Sequence, residues 1–400
     1  MLSGAALLGA AGYRAAQGVR GLVRRQERES EHTERRRAAF ANQLQLALYY
    51  ARASQPTLRA WHGTRTFRVS AIVDETEACR SFYLAPEDGR PLPRFEPGQC
   101  LTFHLPMGDL LRPVVRCYSL SERPREDFYR VTVKRAPTGV GSNYFHRDVH
   151  PGGSLEVEAP QGAFFLNPTD DLPLVLIGGG IGVTPIMSMA SALANRRDSR
   201  AIFVFTGFRC SREHPFRIRL AELPQSLPNM HLDVSYSRPL ATDREGCEFN
   251  HCGHVDIERL RQVLPSSNFR YYVCGPASMM ESLVPGLIEW GVPAEHIHYE
   301  AFGPASVQVM DGGASAPCGV QFARSAKGLQ WSGVEGSLLE LAEKGGVRLD
   351  SGCRAGSCGQ CRVMIAAGRV AHVKPPGVQL IDGECLACIA RPVGDIIVDA

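Results

Sequence analysis

The sequence predicts a multidomain chain of α/β plus β class: an antiparallel β-barrel, a doubly wound domain with a parallel sheet, and a small C-terminal module. Three observations predict it. From Trp61 to Pro168, short alternating runs such as FRVSAIV, CLTFHL, YRVTVKR and SLEVEAP are separated by Gly and Pro clusters, the texture of antiparallel strands in a barrel or sandwich. From Leu174 the texture changes to the apolar runs LVLIGGG, AIFVFTGF, HLDVSYS and YYVCGP, alternating with helical stretches near 185–195, 213–222 and 256–264. Strands that alternate with helices imply a parallel sheet with crossover connections. Beyond residue 315, four cysteines stand at metal-ligand spacing.

The length of 400 residues exceeds what one core usually organises, so two or three domains are expected. Lys and Arg number 44 against 41 Asp and Glu, so no global basic field points to nucleic acid. The 13 cysteines are odd in number and partly clustered, and no convincing signal peptide precedes them. A reducing cytoplasm therefore fits better than a disulfide framework.

Residues 1–60 read as a helical segment closed by Pro56. Its first part, MLSGAALLGAAGYRAAQGVRGLV, is interrupted by Arg14 and Arg20 and falls short of the ~20 apolar residues a spanning helix needs. An apolar helix followed by Arg24, Arg25, Arg28 and Arg35 to Arg37 suits peripheral contact with an anionic membrane surface; a solvated helix is the alternative.

Cys353, Cys358 and Cys361 form C-x4-C-x2-C, and Cys388 follows further on, the spacing of plant-type [2Fe–2S] ligation. Gly356 and Gly359 let this loop curl so that thiolates converge and backbone N–H groups face the sulfurs. Zinc is the rival metal, but zinc favours paired C-x2-C units, and the x4 spacing from Cys353 to Cys358 departs from that pattern. Cys385 also lies near Cys388 and competes as fourth ligand. A second crowded group, Cys247, His251, Cys252 and His254, is set aside because all four fall on one loop with no spaced second half.

Two further constellations concern phosphate-bearing cofactors. In RCYSL, Arg116 suits a phosphate, Tyr118 a flavin ring, and Ser119 either one. The later GVGSNYFH offers backbone N–H groups and the Ser142 hydroxyl to a second phosphate. The run IGGGIGVTP closes a buried strand and opens a helix, so Gly180 and Gly182 place N–H groups and a helix dipole against a pyrophosphate.

With these motifs in this order, the chain from about residue 61 to 400 resembles the ferredoxin–NADP reductase superfamily, specifically the bacterial oxygenase reductases with a C-terminal ferredoxin. The resemblance implies an FAD-binding β-barrel over 61–168, an NAD(P)-binding α/β domain over 169–304, a linker over 305–314 and a β-grasp [2Fe–2S] ferredoxin domain over 315–400. It implies flavin-binding roles for Arg116, Tyr118, Ser119 and Ser142. One departure is Cys100, which stands where the PGQ motif is normally followed by a flavin-touching Tyr. It implies nicotinamide-flanking roles for Thr184 and Cys274, a flavin-covering aromatic at Phe302, and Glu300 near the flavin edge. CLACIARP resembles the ferredoxin motif that makes Cys388, rather than Cys385, the fourth ligand. Ser237 and Arg238 resemble the Ser-Arg pair of NADP-specific relatives, a lean towards NADPH over NADH.

The expected function is an NAD(P)H-dependent oxidoreductase in which FAD takes two electrons as hydride and releases them singly to the cluster. FMN is the alternative flavin, used by some relatives with this domain order. The expected acceptor is a partner metalloenzyme, an oxygenase component, docking on charged residues such as Arg354 and Arg362 near the cluster loop. Two alternatives are an electron-transfer subunit fed by a partner flavoenzyme and a reductase of a hybrid-cluster-type protein.

Overall fold

The computed structural model describes residues 61, 63–107, 114–167, 171–301, 316–333, 335–352, 354, 356, 359–373, 376, 378 and 380–400. The expectations for residues 1–60, the linker 305–314, Phe302, Cys353 and Cys358 lie outside these residues. All described residues fall within one unit, Ala53–Ala400. Among them no helix is long and apolar enough to cross a membrane.

The first sheet contains β1 (Thr64–Thr76), β2 (Cys79–Pro86), β3 (Cys100–Leu105), β4 (Val114–Ser119), β5 (Tyr129–Lys134) and β6 (Ser154–Glu158), in spatial order β4-β3-β6-β1-β2-β5. All its pairings are antiparallel. An antiparallel bridge between Leu120 and Val131 joins the two outer strands, so the sheet closes into a barrel rather than a sandwich. Leu101, Phe103 and Leu105, at every second position of β3, are fully buried. They share a core with Phe67, Phe82 and Phe145, the last carried by α1 (Val140–Arg147).

The second sheet is wholly parallel: β7 (Leu174–Gly179), β8 (Ile202–Phe208), β9 (Met230–Tyr236), β10 (His251–Cys252), β11 (Arg270–Gly275) and β12 (Ile297–Ala301), in order β10-β9-β8-β7-β11-β12. The chain steps outward from β7 to β10, then returns to β11 on the other side of β7. That reversal creates a switch point at the carboxyl ends of β7 and β11, where open α/β sheets bind ligands. Crossovers are made by α2 (Val183–Asn195), α3 (Arg217–Ser226), α4 (Ile257–Val263) and α5 (Ala277–Glu289).

The helix expected near 213–222 begins later, at Arg217. Pro215 keeps His214 out of the helical region, with ψ of 88°, and Phe216 turns left-handed at φ 60° before the helix starts.

The C-terminal module has a mixed sheet of β13 (Cys318–Phe322), β14 (Lys327–Trp331), β15 (Arg362–Ala367), β17 (Glu384–Leu386) and β19 (Ile396–Asp399). A separate ribbon pairs β16 (Val370–His372) with β18 (Ala390–Pro392). The first and last strands, β13 and β19, run parallel and side by side, and α6 (Leu338–Lys344) crosses the sheet, which is the β-grasp arrangement. Ser337 caps α6 by accepting the Glu340 N–H, and the Glu340 carboxylate accepts the Gly336 N–H in return. Trp331, Phe322, Leu338 and Ile389 form its core.

The barrel and the parallel-sheet domain meet through polar contacts. Arg130 is fully buried, and the Glu122 carboxylate lies 3.4 Å from it and 2.9 Å from Arg219. The Ser188 hydroxyl donates to the Glu122 carbonyl, and the Phe216 N–H donates to the Glu75 carboxylate.

Candidate flavin, nucleotide and cluster sites

The flavin candidates converge at the junction of β4 and α1. A Cβ added at Gly141 would lie 2.7 Å from Arg116 Cγ and 3.0 Å from the Tyr118 hydroxyl, so only glycine lets this turn approach the strand. Burial pushes the Tyr118 hydroxyl pKa up, and its ring packs edge-on against Phe145 at 4.9 Å. Burial, with Arg354 nearby, presses the Arg116 pKa down. Among the described residues the buried Ser119 hydroxyl has no hydrogen-bond partner. A buried orphan beside a cationic and an aromatic side chain fits a flavin as its missing partner.

Ser142 sits differently from its expected role. Its hydroxyl accepts the Ala136 N–H at 3.1 Å and donates to the Gly139 carbonyl at 3.1 Å, so its hydrogen is engaged within the loop. Gly139 gives α1 no side-chain cap, which leaves the backbone N–H groups at the start of the helix as the donors a phosphate would meet. Cys100, the departure noted in the sequence, turns its thiol to the Gln161 carbonyl at 3.4 Å.

At the switch point lies a cavity of about 900 Å³ lined by Gly180, Gly182, Ser237 and Arg238, so the structure brings these four expected residues together. The helix α2 that opens on it has no side-chain cap, leaving its N–H groups for an anion. Among the described residues the Arg238 guanidinium makes no ion pair, while its N–H donates to the Arg209 carbonyl.

Thr184 and Cys274 do not line this cavity: they are 2% and 0% exposed. The Thr184 hydroxyl donates to the Ile181 carbonyl, bracing the turn. Cys274 on β11 pairs in register with Glu300 on β12. Burial, reinforced by Glu300, holds the Cys274 thiol well above its usual range, so it is neutral.

Sequence reasoning missed Lys134, Arg209 and Glu213 on the cavity wall. Glu213 lies 3.3 Å from both basic side chains. Arg209 directly follows β8 as Ser237 and Arg238 follow β9, so inspecting every strand end would have found it. Lys134 comes from the barrel, and nothing local in the sequence signals that it crosses to the other domain.

In the C-terminal module, Cys361 and Cys388 are buried with their sulfurs 3.1 Å apart, and the Gly356 N–H donates to the Cys388 sulfur at 3.3 Å. Arg354, Gly356 and Gly359 have φ of 56°, 73° and 75°, the curled loop that converging ligands require. Two adjacent sulfurs and an amide aimed at one of them fit a cluster. Cys385 instead lies opposite Val363 in the strand pairing, fully buried in the core, and burial pushes its thiol up to about 12. Among the described residues, no three His, Cys, Asp or Glu side chains are grouped to hold a metal ion.

Comparison with known proteins follows this division. Residues 176–284 match the oxidoreductase NAD-binding domain family, and residues 329–393 match the 2Fe-2S iron-sulfur cluster binding domain family. A Flavohemoprotein of Rhodopirellula baltica is 39% identical over 267 residues, 64% of either chain, so the chain spans about two thirds of that relative's length. The flavohem-like FAD/NAD-binding domain of nitric oxide dioxygenase from Vibrio cholerae is 31% identical, with a TM-score of 0.54, covering 61% of this chain and all of that one. Phthalate dioxygenase reductase, a modular protein for electron transfer from pyridine nucleotides to [2Fe-2S], matches in fold over 84% of this chain and 98% of its own, at 24% identity and a TM-score of 0.54.

Fold and site thus define an NAD-binding oxidoreductase with an iron–sulfur module. The chain belongs to the ferredoxin–NADP reductase superfamily, in the arrangement that carries a C-terminal [2Fe–2S] domain.

Proposed function

We propose that the chain is an NAD(P)H-dependent reductase that delivers electrons through FAD and a [2Fe–2S] cluster to a partner metalloenzyme, an oxygenase component. The observation that carries this reading is the switch-point cavity closed by the Gly180–Gly182 turn, on the same unit as the orphaned Ser119 hydroxyl and the Cys361–Cys388 pair. When bound, the flavin takes two electrons as hydride and releases them one at a time, which is what a one-electron cluster needs from a two-electron donor.

The residues' parts follow from their places. The α2 N–H groups with Gly180 and Gly182 bind the pyrophosphate, and Ser237 with Arg238 meets the ribose 2′ position. Arg238, which makes no ion pair among the described residues, favours a 2′-phosphate and hence NADPH. Arg116 and the backbone at the start of α1 bind flavin phosphates, Tyr118 lies along the ring, and Ser119 hydrogen-bonds to the flavin. Two phosphate sites favour FAD over FMN. Thr184, Cys274, Glu300 and Phe302 surround the nicotinamide and flavin rings; Cys274 does so as a neutral thiol. Cys353, Cys358, Cys361 and Cys388 ligate the cluster. The oxygenase partner is supported by the Vibrio cholerae relative, whose FAD/NAD-binding domain belongs to a nitric oxide dioxygenase.

The deciding experiment is anaerobic addition of NADH or NADPH to purified holoprotein, followed by absorbance and EPR. Bleaching of the flavin and a rhombic [2Fe–2S] signal are expected. If neither nucleotide reduces the flavin, the chain is an electron-transfer subunit fed by another flavoenzyme. Flotation with anionic vesicles, comparing the full chain with one starting at Trp61, tests peripheral membrane contact through residues 1–60; equal behaviour removes it.

A further inference from the structure

The cluster loop touches the flavin barrel at a specific place. Glu158, the last residue of β6, is largely buried, at 13% side-chain exposure, and its Oε1 accepts the Gln360 side-chain amide at 2.7 Å. Gln360 lies between Gly359 and Cys361, inside the loop that carries three of the four cysteines. The same oxygen lies 2.7 Å from His104 Nε2 on β3, so the carboxylate is held from its own side of the contact as well.

The strands involved give this contact its meaning. β6 pairs with β3, and β3 pairs with β4, with Arg116 opposite Phe103 and Phe103 opposite Val157. Glu158 therefore belongs to the same three-strand patch that carries Arg116, Tyr118 and Ser119. Arg354, from the other end of the cluster loop, adds to the burial that holds the Arg116 pKa down and is ion-paired to Glu343 on α6. Both ends of the loop thus face one patch of the barrel. Interfaces between domains of one chain are by default mobile, and electron transfer weakens steeply with distance, so a fixed distance requires a specific tie.

We propose that Glu158 is a positioning residue that ties the cluster loop to the flavin barrel through Gln360, and so sets the rate of electron transfer from flavin to cluster. This rests on the reductase reading above. Glu158 acts through Gln360 on the loop, and His104 orients its carboxylate. Glutamine in its place keeps one oxygen that can accept from both Gln360 and His104, whereas alanine removes it.

The test uses full-length holoprotein with Glu158→Ala, Glu158→Gln, Gln360→Ala and the double Glu158→Ala/Gln360→Ala variant. Hydrogen exchange across residues 354–362 should rise roughly tenfold in Glu158→Ala, the scale of one lost hydrogen bond to a charged group, and stay near wild type in Glu158→Gln. In stopped flow with NADPH, flavin reduction should keep its rate while the cluster signal that follows slows in Glu158→Ala. The double variant should be no worse than either single one, as for two residues acting through one bond. Unchanged loop exchange and cluster reduction in Glu158→Ala, or additive effects in the double variant, would overturn the tie. If Glu158→Ala lost flavin reduction too, the Gln360→Ala variant decides by the same two readouts. Failure of wild-type protein to accept electrons from either nucleotide would instead overturn the reductase reading, while the exchange measurement would still judge the contact.

Discussion

Gly182 rests directly on Cys274: a Cβ on the glycine would overlap the Cys274 carbonyl and lie 2.7 Å from Gly275 Cα. The glycine-rich turn after β7 and the CGP segment that ends β11 are thereby packed backbone to backbone, and the mouth of the cavity depends on that approach. Gly182→Ala should force the two strand ends apart at a cost of roughly 1–3 kcal/mol and weaken nucleotide binding at least about tenfold. Isothermal titration with NADPH, alongside flavin content as a check on folding, measures it.

The orphaned Ser119 hydroxyl makes opposite predictions for two states of the protein. Without flavin, Ser119→Ala removes an unsatisfied buried group and should leave stability unchanged or slightly higher. With flavin, it removes a hydrogen bond and should weaken flavin binding by about 1 kcal/mol, roughly fivefold. Thermal melts of apoprotein and flavin titrations separate the two. Weaker binding with equal loss of apoprotein stability would assign Ser119 to packing alone.

Cys388→Ser should abolish the rhombic EPR signal of the reduced cluster, and Cys385→Ser should retain it. The Gly356 N–H directed at the Cys388 sulfur, and the 3.1 Å approach of that sulfur to Cys361, are the reason. The reverse result would make Cys385 the fourth ligand.

His214 predicts an acid limb in stability. It is stacked on Phe208 with ring centroids 4.0 Å apart, its Nδ1 lies 2.9 Å from the Tyr236 hydroxyl, and burial with Arg217 nearby lowers its pKa from 6.5 to about 3. The neutral ring is the folded form, so its contribution is full above pH 6.5 and is lost as pH falls towards 3. Between pH 6.5 and 5 the loss should be roughly 2 kcal/mol. Urea unfolding across this range, compared with His214→Gln, should show the variant's limb flattened.

Arg238→Ala should lower kcat/KM for NADPH by roughly 10- to 100-fold, the worth of one or two hydrogen bonds to a charged phosphate, and leave NADH almost unaffected. Equal effects on both nucleotides would place Arg238 away from the 2′ position.

Much of this molecule was legible in its sequence because its signals are local. C-x4-C-x2-C, IGGGIGVTP and RCYSL each put the chemistry of one loop into a few adjacent residues, and the change of strand texture near Leu174 marked the passage from antiparallel to parallel sheet. Where local cues competed, the reading slipped: the helix expected from 213 waits until Arg217 because Pro215 and the left-handed Phe216 intervene. The hydroxyl of Ser142, a plausible phosphate donor by type, is engaged by Ala136 and Gly139 three to six residues away.

The sequence by itself determined the elements and the ligand types, since turn glycines, strand periodicity and cysteine spacing act over short stretches of chain. Only the tertiary structure decided that Lys134 of the barrel reaches the nucleotide cavity, that Arg130 and Glu122 are buried as a pair between domains, and that Glu158 meets Gln360 across 202 positions of sequence. Those contacts arise when separate sheets pack. Their partners are set by strand order and register, which no local pattern encodes.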